Sequence, residues 1–183
     1  MINKQETSAI SKELGQESLL TTRNLSKMAM IIALYVVLTL LISPLSYGMI
    51  QIRLAEMFNF LAIYHRRYIG AVTLGVALAN LSSPLGMVDV IVGSVSTFIV
   101  LTIIYFVSQK LTTDRQKLLC VPIICSLSMF TVAGELHLLL AAPFWLSWVT
   151  IGVGEFISLT IGLVIIWLMS RMTDMTRIKK MLQ

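Results

Sequence analysis

What most constrains this chain is a series of long apolar runs that follow one another, with only short polar breaks, from about residue 27 to residue 170. Several approach the roughly 20 residues a helix needs to cross a bilayer. In hydrocarbon every backbone N–H and C=O must be satisfied within the protein, so such runs fold as helices. Composition agrees: 57% of residues are hydrophobic and 13% charged, and the mean hydropathy is +0.87, outside the range of soluble domains. A chain of 183 residues holds about six such spans with short tails and no separate soluble domain. An all-α integral membrane protein is expected, located in the cell membrane and contacting lipid.

Turn-forming residues divide the runs at Ser43-Pro44 and Tyr47-Gly48, at Ser82-Ser83-Pro84-Leu85-Gly86, and at Ala142-Pro143. The divisions predict six transmembrane helices at 27–43, 46–64, 67–83, 88–109, 118–142 and 145–170. Fusing the second and third would drag His65, Arg66 and Arg67 into hydrocarbon at a cost of several kcal/mol. Lys and Arg stay on the cytoplasmic side of short loops. With the N-terminus inside, only Arg53 of the 14 Lys and Arg residues falls outside. Both termini are therefore expected in the cytoplasm, with residues 1–22 an N-terminal tail, 23–172 a single six-helix membrane domain and 173–183 a C-terminal tail. The formal charge of +5 orients the spans and does not point to nucleic acid. Residues 1–22 lack a signal-peptide pattern.

The orientation places Glu56, Asp89, Glu135 and Glu155 in the outward half of the membrane and no carboxylate in the inner half. Intramembrane carboxylates are costly and usually face a cavity or one another, so an outward-opening polar pocket is expected. Plainer readings compete at each position. Arg53 and Glu56, spaced i,i+3, can neutralise each other as a structural pair. Asp89 can serve only the exposed amides at a helix start. Glu135 and Glu155 have no cation nearby in sequence and sit beside Gly134, Gly152 and Gly154, which favours function. With one acid matched to Arg53, three remain, so a cationic, neutral or donor-rich solute is preferred over an anion. A carboxylate can also accept two parallel N–H donors from an amidine-like edge.

Asn80 offers amide contacts to a solute or an interhelical hydrogen bond. Trp145 and Trp148 offer stacking surfaces for a flat heterocycle, or an interfacial belt. His137 reads as structural. Ala29 and Ala33 form a small-xxx-small groove near the cytoplasmic end of the first helix, suited to close helix packing against this chain or another subunit. Cys120 and Cys125 lack partners at metal spacing and read as buried thiols. The 11 methionines are explained by packing, and neither a metal nor a cofactor is expected.

The string Ala33-Leu-Tyr-Val-Val-Leu-Thr-Leu, then Gln51-Ile-Arg-Leu-Ala-Glu56, resembles the start of the QueT family, the membrane substrate-binding (S) components of energy-coupling factor transporters. Asn80 with Gly86-Met-Val-Asp89 and Gly93-Ser94 looks like that family's middle segment. Gly152-Val-Gly-Glu155 resembles its last helix, and the likeness runs from about Ser26 to Trp167. Met87 departs from it, standing where related sequences often carry a bulky aromatic. The resemblance implies a six-helix S-component bundle that captures its solute from outside and works with a transmembrane coupling subunit and two cytoplasmic ATPase subunits. It implies that Ala29 and Ala33 dock on the coupling subunit. It also implies a queuosine precursor as solute, especially the cationic deazapurine 7-aminomethyl-7-deazaguanine.

The binding residues expected for that solute are Glu56, Asn80, Asp89, Glu135, Trp145, Trp148 and Glu155, beneath a lid formed by the loop at 44–49. The chain carries no Walker motif, in keeping with ATP hydrolysis in separate subunits. A proton-coupled secondary carrier for a small cationic or neutral solute is the alternative, since membrane acids also relay protons. It would normally show internal repeats, and none is found. An embedded enzyme is disfavoured by the absence of a Gly-x-Ser-x-Gly elbow or metal-binding His-Glu spacing.

Overall fold

In a computed structural model, which describes residues 21–46 and 51–172, every regular element is a helix. Helix α1 (Thr22–Leu41) is followed by a single turn, α2 (Ser43–Ser46), and later by a 3-10 helix at Leu54–Ile63. Then come α3 (Arg67–Asn80), α4 (Met87–Lys110), α5 (Asp114–Ser128), α6 (Phe130–Leu140) and α7 (Phe144–Met172). Four stretches are long and apolar enough to cross a membrane: Thr22–Leu41, Met87–Lys110, Asp114–Leu140 and Phe144–Ile166. Apart from the turn at Thr21 and Thr22, the expected tails lie outside the described residues, as do Tyr47, Gly48 and Met49 of the expected lid.

Helix α1 shows how the sequence sorts its faces. Ile31, Tyr35 and Thr39, spaced by four, are buried, while Met30, Leu34, Val37 and Leu41 are exposed. Exposed leucine, isoleucine and phenylalanine continue around α4, α5, α6 and α7. Such a surface would be untenable in water and is ordinary against lipid tails. The termini of α3 are anchored by polar side chains. Arg67 Nη1 donates to Asn24 Oδ1 at 2.7 Å, which sets the start of α3 beside the start of α1. Asn80 Nδ2 donates to the carbonyl of Asp89 at 3.0 Å, which sets the end of α3 beside the start of α4. Between them, Gly86 has φ +64 and ψ −137, a conformation open almost only to glycine.

The predicted helix at 46–64 is not an α-helix. Residues 51–53 are irregular, Arg53 is extended, and Leu54–Ile63 is wound as a 3-10 helix. At about 2.0 Å per residue, ten such residues rise roughly 20 Å. Its six buried residues (Ala55, Glu56, Asn59, Phe60, Ala62 and Ile63) show why hydrophobic period misleads here. The segment packs against α1, α3, α4, α5 and α7, so neighbours on several sides, not one apolar face, decide its form. On α7, a Cβ at Gly162 would lie 2.6 Å from Met57 Cβ and 3.2 Å from its Cα, so the glycine lets the two backbones meet. Non-α backbone at membrane depth is tolerated where protein surrounds it.

The predicted helix at 118–142 is divided at Met129. Ser128 Oγ donates back to the Cys125 carbonyl at 2.6 Å and Thr131 Oγ1 to the Ser128 carbonyl at 2.9 Å. Side chains that take helix carbonyls in this way bend helices, and Pro122 has already removed one N–H donor from α5.

Candidate binding cavity

A cavity of about 50 Å³ lies between the 3-10 segment and α3 to α7, and its polar lining includes Arg53, Glu56, Asn59, Asp89, Cys125 and Glu155. The 3-10 winding explains two of these together. With three residues per turn, side chains at i and i+3 eclipse, so Glu56 and Asn59 fall in one column, with Arg53 extended just before it; an α-helix would fan the two apart by roughly 60°. Three carboxylates against one guanidinium make the lining acidic.

Each charge is held differently. Glu56 accepts the Tyr35 hydroxyl on Oε1 at 2.7 Å and the Asn59 amide on Oε2 at 2.6 Å. Tyr35 is fully buried against Gly75 of α3, where a Cβ would come within 3.0 Å of the tyrosine side chain. Asp89, in the first turn of α4, stands 4.0 Å from Arg53 Nη2. Arg53 also donates from its backbone N to Ser158 Oγ and from Nε to the Ser46 carbonyl, both at 3.1 Å. It thereby joins α2, α4 and α7. Glu155 is only 3% exposed, lines the cavity, and its Oε1 has no hydrogen-bond partner.

Of the residues expected to bind solute, Glu56, Asp89 and Glu155 line this one cavity. Asn80 stands behind it, with its amide on the carbonyl of Asp89 and 3.4 Å from Asp89 Oδ1, the interhelical bond that was one of its two readings. A Cβ at Gly93 would meet that amide at 2.5 Å. Glu135 is buried on α6 with neither oxygen hydrogen-bonded, beyond the lining residue Val132. Trp145 is exposed, and Trp148 Nε1 donates to the Leu127 carbonyl at 3.1 Å. The two tryptophans pack with Phe144 outside the cavity lining. His137 Nδ1 lies 2.7 Å from the Ala142 carbonyl. Ala29 and Ala33 are both exposed on α1.

Sequence reasoning missed Asn59 and Tyr35. The available signal for Asn59 was its spacing of three from Glu56 inside an apolar run. Tyr35 carried none beyond being a hydroxyl within a span.

The family model described as QueT transporter matches residues 25–171. The chain belongs to the QueT transporter family. It is 38% identical over 165 residues to a protein of Lactococcus lactis subsp. cremoris (strain MG1363) named queuosine precursor transporter QueT, an alignment covering 85% of this chain and 97% of that one. No solved structure matches the chain. Family membership and the four long apolar helices make it a multi-pass membrane protein of a transporter family, and not an enzyme. The QueT likeness read from four short strings thus extends over residues 25–171, and the cavity lies inside the matched span.

Proposed function

We propose that this chain is the substrate-capture (S) component of an energy-coupling factor importer and that it takes up a queuosine precursor such as 7-aminomethyl-7-deazaguanine. The observation that carries this reading is the acid-lined cavity enclosed within a QueT family member, together with the name of its Lactococcus relative. The primary amine of that solute is cationic at neutral pH and its guanine edge offers N–H donors, which suits an acidic lining. At about 50 Å³ the cavity is far below the roughly 300 Å³ of ordinary small-molecule sites. Capture therefore includes an opening of the lining. The Arg53 contacts to Ser46 and Asp89 supply a place for it, because movement of the α2 turn releases the guanidinium.

Six crossings with both termini cytoplasmic are supported by the side-by-side starts of α1 and α3. For these two helices to run in the same direction, the chain between Leu41 and Arg67 must return across the bundle. The 3-10 helix covers roughly 20 Å of that return. The exposure of Ala29 and Ala33 supports their docking on a coupling subunit, with two ATPase subunits supplying the energy for reorientation between discrete states.

The test is a titration of the purified, detergent-solubilised chain with 7-aminomethyl-7-deazaguanine beside an unrelated vitamin, followed by uptake into vesicles with and without a coupling module. Binding of the deazapurine and uptake that depends on ATP support the reading. Uptake driven by a proton gradient without the ATPases would establish the secondary-carrier alternative, which the buried, unbonded Glu135 favours.

A further inference from the structure

Among the described residues, the side-chain atoms of the cavity lining that are buried without a hydrogen-bond partner are Asn59 Oδ1 and Glu155 Oε1. Both are acceptors. Both belong to side chains only 3% exposed. Such atoms cost free energy unless something donates to them.

The orientation of the Asn59 amide is forced by what surrounds it. Nδ2 lies 2.6 Å from Glu56 Oε2 and 3.7 Å from Cys125 Sγ, so both amide hydrogens have acceptors. Glu56 Oε1 already receives the Tyr35 hydroxyl, leaving Oε2 to accept as well. Reversing the amide would press Oδ1 against a carboxylate oxygen at a distance that only a hydrogen bond permits. The acceptor is thus fixed opposite that amide nitrogen, unbonded, on a residue that lines the cavity one 3-10 turn beyond Glu56. The guanidinium of Arg53, the one cation of the lining, is occupied by Asp89 and the Ser46 carbonyl.

We propose that Asn59 is a specificity-determining residue and that, with Glu155, it forms an acceptor pair that selects solutes by the N–H donors they carry. This rests on the transport reading above and deepens it. Glu56 is then a positioning residue that fixes the Asn59 amide. A solute that lacks a donor leaves one of the acceptors buried and bare, and a site built for a hydrogen bond rejects such an analogue more strongly than an apolar pocket rejects a size change.

The experiment compares three solutes on the intact chain in detergent: 7-aminomethyl-7-deazaguanine, its analogue without the 2-amino group, and 7-methyl-7-deazaguanine, which lacks the amine. Each missing donor should weaken binding roughly 10- to 100-fold, the equivalent of one unsatisfied buried acceptor. Asn59→Leu should abolish discrimination against one stripped analogue while keeping it against the other, and Glu155→Leu should do the reverse. That crossing would also tell which donor each acceptor holds. Equal binding of all three solutes by the unsubstituted chain overturns the acceptor pair without any variant, even where a substituted chain fails to fold. Unchanged discrimination in Asn59→Leu overturns the role of Asn59. Failure of all three to bind removes the queuosine-precursor reading, and the pair with it.

Discussion

Glu56 and Glu155 line the same cavity, one on the 3-10 segment and the other on α7, and their surroundings are unlike. Both oxygens of Glu56 accept hydrogen bonds from buried side chains. Glu155 is at least as buried, yet Oε1 accepts nothing. A carboxylate with two fixed donors is part of the framework, because removing it orphans its partners. A buried carboxylate without them costs desolvation and returns little to the fold. On the proposed function, the comparison makes Glu56 part of the construction and Glu155 part of recognition.

The largest expected effect follows on the built side. Glu56→Leu strips the acceptors from the Tyr35 hydroxyl and the Asn59 amide, and at 1–3 kcal/mol for each orphaned group should lower stability by about 3 kcal/mol. Thermal unfolding of the detergent-solubilised chain measures it. An unchanged melting temperature would dissolve the contrast between the two acids. Next comes Gly162→Val, whose first added carbon would sit 2.6 Å from Met57 Cβ. Forcing α7 away from the 3-10 segment should cost about 2 kcal/mol and weaken solute binding as well, because the turn carrying Glu56 and Asn59 shifts. A smaller loss, about 1.5 kcal/mol, is expected for Tyr35→Phe, which removes one charge-assisted bond and leaves the ring against Gly75. Equal effects of Tyr35→Phe and Glu56→Leu would mean that Asn59 contributes nothing to holding the acid.

How much of this was legible in the sequence differs between the same two sides. Pro44, Pro84 and Pro143 mark breaks that the structure keeps, and the helices predicted at 88–109 and 145–170 match α4 and α7 to within a few residues. Glu56, Asp89 and Glu155 were readable because a carboxylate in an apolar run needs a reason. The 3-10 winding was not, since it arises from contacts distant in sequence, such as Gly162 with Met57. With the winding hidden, the alignment of Glu56 with Asn59 was hidden too. Glu135 was placed by assuming an unbroken helix at 118–142, whereas the bend at Met129 comes from hydroxyls of Ser128 and Thr131 that sequence alone leaves free to bond elsewhere. By position Trp145 and Trp148 fitted anchoring at the interface somewhat better than stacking, and both lie outside the cavity lining.

The smallest expected change is the sharpest test of the comparison. Glu155→Gln keeps the shape of the side chain and removes the formal charge. If Glu155 is there for a solute, the fold loses no hydrogen bond at Oε1 and exchanges a buried ionisable carboxyl facing the same cavity as Glu56 for an amide of the same shape, so the stability should stay within about 0.5 kcal/mol of the parent or rise. Stabilising substitutions at the cost of activity are characteristic of sites kept for function. The same variant should bind 7-aminomethyl-7-deazaguanine more weakly, because an amide attracts a cationic or donor-rich solute less than a carboxylate does. Stability that falls by as much as in Glu56→Leu would make Glu155 a second framework acid. Recognition would then have to rest on Asn59 and on Glu135, the remaining buried carboxylate without a hydrogen bond.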